Sequence, residues 1–260
     1  MAAGDAPRHY LFVNGMAQAV GLMLAAMLAF VPPRWSEWLA HAAAMALLAT
    51  ALLGVDVDGI RRWVSLLGVL QIQPAFILLP LLLCYYARRK ASRAHSAAVM
   101  IAALAIAAMP DRSMAMALFM VSFAVWLADR THAAALVLAA ATLALGVTLW
   151  RADPLTGLRH VEYVLAHGWQ SGPLTGAVLN LGALAMLAPL LTARHAAMEQ
   201  QRAIIAFSLC WATLLIASVV APFPTPLLGY GASAIIGYMV SASALRRSDD
   251  TPLPPAVAPR

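Results

Sequence analysis

Apolar runs, set apart by charges and prolines, fill almost the whole of this 260-residue chain. They fall at roughly 10–31, 36–54, 75–87, 96–109, 113–128, 132–150, 172–192, 203–221 and 226–245, and a membrane crossing needs about 20 such residues, fewer where neighbours shelter the ends. Backbone groups inside a bilayer must be satisfied internally, and the runs lack strand alternation, so helices are expected. The abundant alanine suits close helix packing. The expected fold is all-α: a polytopic transmembrane helix bundle of about nine spans. It forms a single domain over 1–247, with outward loops at 55–74 and 151–171 and a disordered, Pro-rich cytoplasmic tail at 248–260.

Composition closes off the soluble alternative. Hydrophobic residues are 63% of the chain and charged residues 11%, against about 45–50% and 25% in soluble domains. The net charge of +6 needs no nucleic-acid partner, because basic residues of a membrane protein gather in cytoplasmic loops facing anionic lipid. Cys84 and Cys210 lie inside apolar runs and read as buried thiols, not as a disulfide or metal pair. The N-terminus lacks the pattern of a cleavable signal peptide.

Loop charges set the expected orientation. Arg34, Arg88, Arg89, Lys90, Arg93, Arg130, Arg194, Arg202, Arg246, Arg247 and Arg260 fall on one side, and Arg8, Arg61, Arg62, Arg112, Arg151 and Arg159 on the other. The excess favours a cytoplasmic C-terminus. Two unusual loops then face outward. Residues 56–74 carry Arg61, Arg62 and Trp63, and their amphipathic character suggests a segment lying in the interface or dipping into the bundle. The arginines and tryptophan suit an interfacial anchor, and the arginines alternatively a lipid pyrophosphate. Residues 151–173 gather Asp153, His160, Glu162, His167 and Trp169, with no defensible zinc spacing, so no metal or cofactor is expected. Asp111 at a span boundary reads most simply as a solvated turn acid paired with Arg112. GPLTG at 172–176 is a G-x-x-x-G match and a weak dimerisation signal.

The order of these features resembles the SEDS family (shape, elongation, division and sporulation) of the FtsW, RodA and SpoVE type. GVDVDGIRRWVSLLGVLQIQP at 54–74 is similar to G-V-x-x-N-G-x-x-R-W-(I/L)-x-L-G…(F/I)-Q-P-S-E, with Gly59, Arg62, Trp63, Gly68, Gln73 and Pro74 in register. LAFVPPRWSEWLA resembles the family's turn between its second and third spans, so the first span here matches the family's second. MPDRSMA resembles Q-P-D-x-G-T through Pro110 and Asp111, and HVEYVLAH resembles (V/L)-E-(Y/F)-L-P-E-x-H. PLLGYGASA resembles P-F-(I/V)-S-Y-G-G-(S/T)-(S/A), keeping Pro226, Tyr230, Gly231 and Ser233.

The resemblance implies a role in bacterial peptidoglycan synthesis, cell division or cell shape, with undecaprenyl-linked lipid II, membrane lipid and a penicillin-binding transpeptidase as partners. It implies Arg61, Arg62, Trp63, Gln73, Asp111, His167, Tyr230 and Ser233 as substrate-binding candidates. The family's candidate base is an aspartate two residues beyond the motif histidine. Here His167 is followed by Gly168 and Trp169, and the family's Glu and Lys after Gln73–Pro74 fall on Phe76 and Leu79. Glu162 and Asp153 are the only weak catalytic candidates left, so weak or absent glycosyltransferase activity is the leading expectation. Active polymerisation of lipid II, a transporter or flippase of lipid-linked precursors, and a purely structural membrane subunit stay open as alternatives.

Overall fold

The computed structural model describes residues 8–66, 68, 70–88, 92–151, 153, 161–229 and 231–246. The expected tail and Tyr230 lie outside them, as does His160. Two helices open the fold, α1 (Arg8–Ala29) and α2 (Ser36–Leu53), followed by strands β1 (Val55–Val57), β2 (Ile60–Leu66) and β3 (Leu70–Ile72). Helices α3 (Pro74–Arg88), α4 (Arg93–Ala108), α5 (Arg112–Asp129) and α6 (His132–Trp150) come next. A short α7 (Val164–Gln170) precedes α8 (Pro173–Ala185), a 3-10 helix over Ala188–His195, α9 (Met198–Val220) and α10 (Ala232–Ser243).

Six helical segments are long and apolar enough to cross a bilayer, and α3, α4 and α10 are shorter apolar helices among them. These nine match the nine expected runs, and the chain is a multi-pass membrane protein. The short ones survive because they are sheltered. Ten of the fifteen residues of α3 are buried, and it packs against α2, α4, α5, α9 and α10, so protein rather than lipid surrounds its backbone. Large apolar side chains such as Phe12, Leu22, Met27 and Leu143 point outward instead, as a hydrocarbon solvent allows. Cys84 and Cys210 are buried free thiols, as expected.

Local chemistry sets the helix ends. Asp111 and Thr131 cap α5 and α6 by accepting from Met114 N and Ala134 N, satisfying donors that hydrocarbon would leave bare. α8 ends at Ala185, four residues before Pro189, which has no N–H to bond that carbonyl. The expected run 172–192 is therefore an α-helix continued by a 3-10 turn, with Tyr238 Oη donating to the Met186 carbonyl at 2.8 Å. The last expected run, 226–245, is helical only from Ala232.

The loop at 55–74 departs from expectation: it is a three-stranded antiparallel sheet, β1-β2-β3. Asp58 and Gly59 both take positive φ, 52° and 80°, the left-handed pair that a tight hairpin turn requires. Val57 faces Ile60 across that turn, and Leu66 faces Leu70 across the next. Gly54 is obligatory where α2 meets the sheet, since a Cβ there would lie 2.4 Å from the Thr50 carbonyl oxygen and 2.8 Å from that of Trp63.

At the end of the bundle away from the sheet, Arg202 of α9 clasps Asp129 of α5 with two bonds of 2.6 and 2.7 Å, and its Nε donates to the Ala87 carbonyl. The Asp129 side chain is 2% exposed. Removing one partner of a buried pair leaves an uncompensated charge, costing roughly 3–5 kcal/mol, whereas replacing both with apolar groups is far milder. Thermal unfolding in detergent should show Arg202→Met strongly destabilised and Arg202→Met with Asp129→Leu largely recovered; equal loss in both variants would contradict this.

Candidate functional site

At the sheet end, the starts of three helices converge on one buried carboxylate. Gln73, the residue before α3, donates from its amide to Asp111 Oδ2 at 2.7 Å. Its backbone N–H donates to Ser233 Oγ, in the first turn of α10, at 2.9 Å. Asp111 caps α5 through Oδ1, which accepts from Met114 N at 3.1 Å and from Ser113 Oγ at 2.9 Å. The expectation of a solvated turn acid paired with Arg112 is corrected here. Asp111 is 3% exposed, and Arg112 donates to the carbonyls of Thr148 and Arg151. The carboxylate gains from the positive end of the α5 dipole, which favours an anion.

Arg62 stands beside this knot, 7% exposed. It donates from Nε to Met109 O at 2.9 Å and from Nη2 to Pro110 O and to Asp153 Oδ2, the last at 2.8 Å. Its donors thus complete the carbonyl end of α4 and hold the start of the loop after α6. Asp153, a catalytic candidate in the sequence, is engaged by this ion pair. Arg61 points the other way, exposed, onto Asp56 and the Leu52 carbonyl. Trp63 is half-buried and pairs with Val55 in the sheet.

The second group of candidates sits on and before α7. Glu162 is buried and bridges to Pro224. Thr225, which the sequence did not single out, is the hub there. Its N–H donates to Val161 O at 2.8 Å, its Oγ1 accepts from Val164 N, and its carbonyl accepts from Gly229 N. Asn14 of α1 donates to the Gly229 carbonyl. Tyr163 and Leu227, on the two sides of this bridge, both take positive φ, a conformation costly for non-glycine residues. His167 lies one turn into α7 with its ring 6.3 Å from that of Tyr163. Trp169 is exposed, and it packs on Gly176. Of the G-x-x-x-G pair, Gly176 receives this tryptophan of its own chain.

So the fold brings Gln73, Asp111 and Ser233 into one network with Arg62 and Asp153 beside it, and draws Glu162 and His167 to the same end. Arg61 and Trp63 stay on the sheet.

Removing Arg62 would take its donors from the Met109 and Pro110 carbonyls and break its ion pair with Asp153. Arg62→Ala should lower stability by roughly 3–5 kcal/mol, the cost of breaking a buried pair, while the exposed Arg61→Ala should cost only about 0–1 kcal/mol. Chemical unfolding of the two variants in detergent checks this; similar losses would show that Arg62 carries no more than an interfacial anchor does.

No sequence-family model matches the chain, and no curated protein sequence matches it. Solved structures do. The rod shape determining protein RodA of Thermus thermophilus has 21% identity, with 94% of this chain and 88% of that one covered at a TM-score of 0.67. An alanine mutant of the same protein has the same TM-score and covers 89% of that chain. A chain of a peptidoglycan synthase complex, described for its structural coordination of polymerization and crosslinking, has 20% identity. There 93% of this chain and 90% of that one are covered, with a TM-score of 0.65. The chain has the RodA fold, the SEDS-type architecture that its ordered motifs implied.

Proposed function

We propose that this chain is a divergent SEDS-type protein of the bacterial inner membrane, C-terminus inside, that serves peptidoglycan synthesis in division or cell-shape control. In this reading it engages undecaprenyl-linked lipid II and a penicillin-binding transpeptidase, with weak or no glycosyltransferase activity of its own. The observation that carries it is a RodA-like frame with altered chemistry: a RodA fold over 94% of the chain, Gln73, Asp111 and Ser233 knotted at motif positions, and Trp169 where the motif has its acid. The likeness to a chain of a synthase complex supports the transpeptidase partner.

Polymerisation requires a base to take the proton of an attacking sugar hydroxyl and cations to receive a departing pyrophosphate. Indole accepts no proton. Asp153 is held by Arg62, and Glu162 is buried in the bridge to Pro224. Arg62 in turn spends its donors on Met109, Pro110 and Asp153. Asp153 and Glu162, the carboxylates that would move protons, are thus engaged in structural contacts, which leaves binding without efficient catalysis as the reading.

The test is polymerisation of lipid II by the purified protein, alone and with candidate transpeptidases. A general base contributes typically 10²–10⁴-fold, so glycan strands should form at least about a hundredfold more slowly than with RodA. Trp169→Asp should recover little, because Phe76 and Leu79 also replace polar groups. Lipid II should nonetheless bind the protein in nanodiscs. Strand extension at a RodA-like rate would overturn the non-catalytic reading and turn attention to alanine variants of Glu162 and Asp153.

A further inference from the structure

Trp169 is more than a lost acid: its surroundings make it a fixed aromatic surface. α7 crosses α8 at two glycines. A Cβ on Gly176 would lie 2.3 Å from Trp169 Cδ2 and 2.5 and 2.8 Å from Cε3 and Cγ, so the indole sits with its ring junction over the glycine backbone. A Cβ on Gly168 would lie 2.6 Å from Leu179 Cδ1. The other edge of α7 is tied to the α9–α10 loop through Thr225. One side of the indole is seated, yet the residue stays 53% exposed.

We infer that Trp169 is a stacking platform for a pyranose ring of a glycan chain. This rests on the wall-assembly reading above and names the part of the substrate that the chain grips. The C–H face of a pyranose is apolar and weakly positive, and the indole face is apolar and negative, so the two attract when stacked. The sugar's hydroxyl and acetamido groups need partners at the rim. Gln170 is exposed beside Trp169, and its side-chain amide makes no hydrogen bond among the described residues; it offers two donors and an acceptor. Exposed Ser171 follows. A platform immobilised in advance by Gly176 loses little entropy on binding, which favours affinity. Tryptophan also suits lipid headgroups, and Leu174 and Val178 are exposed on the helix it packs against. A headgroup anchor is therefore the competing outcome that the lipid measurement below separates, while exposed Gln170 and Ser171 supply the polar rim that a sugar needs.

The full-length protein in lipid nanodiscs, titrated by calorimetry with a soluble β-1,4-linked N-acetylglucosamine tetramer, tests this. Wild type should bind saturably, Trp169→Ala at least tenfold more weakly, and Trp169→Tyr within a few-fold of wild type at unchanged thermal stability. Brominated lipids should quench wild type no more than Trp169→Tyr. Equal tetramer binding by wild type and Trp169→Ala overturns the platform. So does strong lipid quenching of Trp169 without tetramer binding, which identifies a membrane anchor. Lipid II binding, read separately by native mass spectrometry, distinguishes the two levels. Lipid II bound without tetramer overturns the platform and leaves the function standing, and binding of neither overturns both.

Discussion

A guanidinium laid across the carbonyl end of a helix is the interaction on which this bundle depends. The last four carbonyls of any helix lack intrahelical partners, and at the edge of a bilayer neither lipid nor scarce side chains supply donors cheaply. Arg246 donates to Ala29 at the end of α1, Arg61 to Leu52 of α2, and Arg202 to Ala87 of α3. Arg62 and Arg151 share the end of α4, Arg130 returns to Leu127 of α5, Arg112 serves α6, and Arg88 reaches Ala244 and Arg246 beyond α10. Most of these bonds join two elements, so each satisfies a helix dipole and fixes a neighbour at once. The five donors and planar shape of arginine suit this, and the single lysine of the chain could not replace it. Of the 17 basic residues, eight are so used, so nearly half of the positive charge of the chain is structural.

That arrangement also separates scaffold from chemistry. The caps hold α4, α5 and α6 so that Asp111 meets Gln73, whose backbone N–H in turn reaches Ser233, and this knot sets where α3 and α10 begin. None of these contacts requires an acid beyond His167. Among the described residues none of these contacts runs through Trp169, so the frame does not depend on which side chain stands there.

The nine apolar runs were legible because hydrocarbon imposes length and composition on any span, and α2, α5 and α6 fall within two residues of their expected bounds. The ordered motifs also led to the right architecture. The sheet does have a sequence signal, the Asp58-Gly59 hairpin turn between Val57 and Ile60, but the amphipathic character of the segment points equally to an interfacial stretch. The burial of Asp111 was illegible for a different reason. Its partner Gln73 is 38 residues away, and only the packing of α3 against α5 joins them. Thr225 carried no signal, since its three bonds run through backbone atoms and one hydroxyl. The capping arginines were read as loop charges, which they are by position, but their task depends on which carbonyl end lies next to them.

High-resolution cryo-electron microscopy of the protein in lipid nanodiscs tests the capping arrangement most directly. It predicts density for Arg61, Arg62, Arg88, Arg112, Arg130, Arg151, Arg202 and Arg246 lying within hydrogen-bond reach of the carbonyls named above, with Arg62 still joined to Asp153. Guanidinium density extended instead into the headgroup layer, over helix ends capped by water, would contradict it.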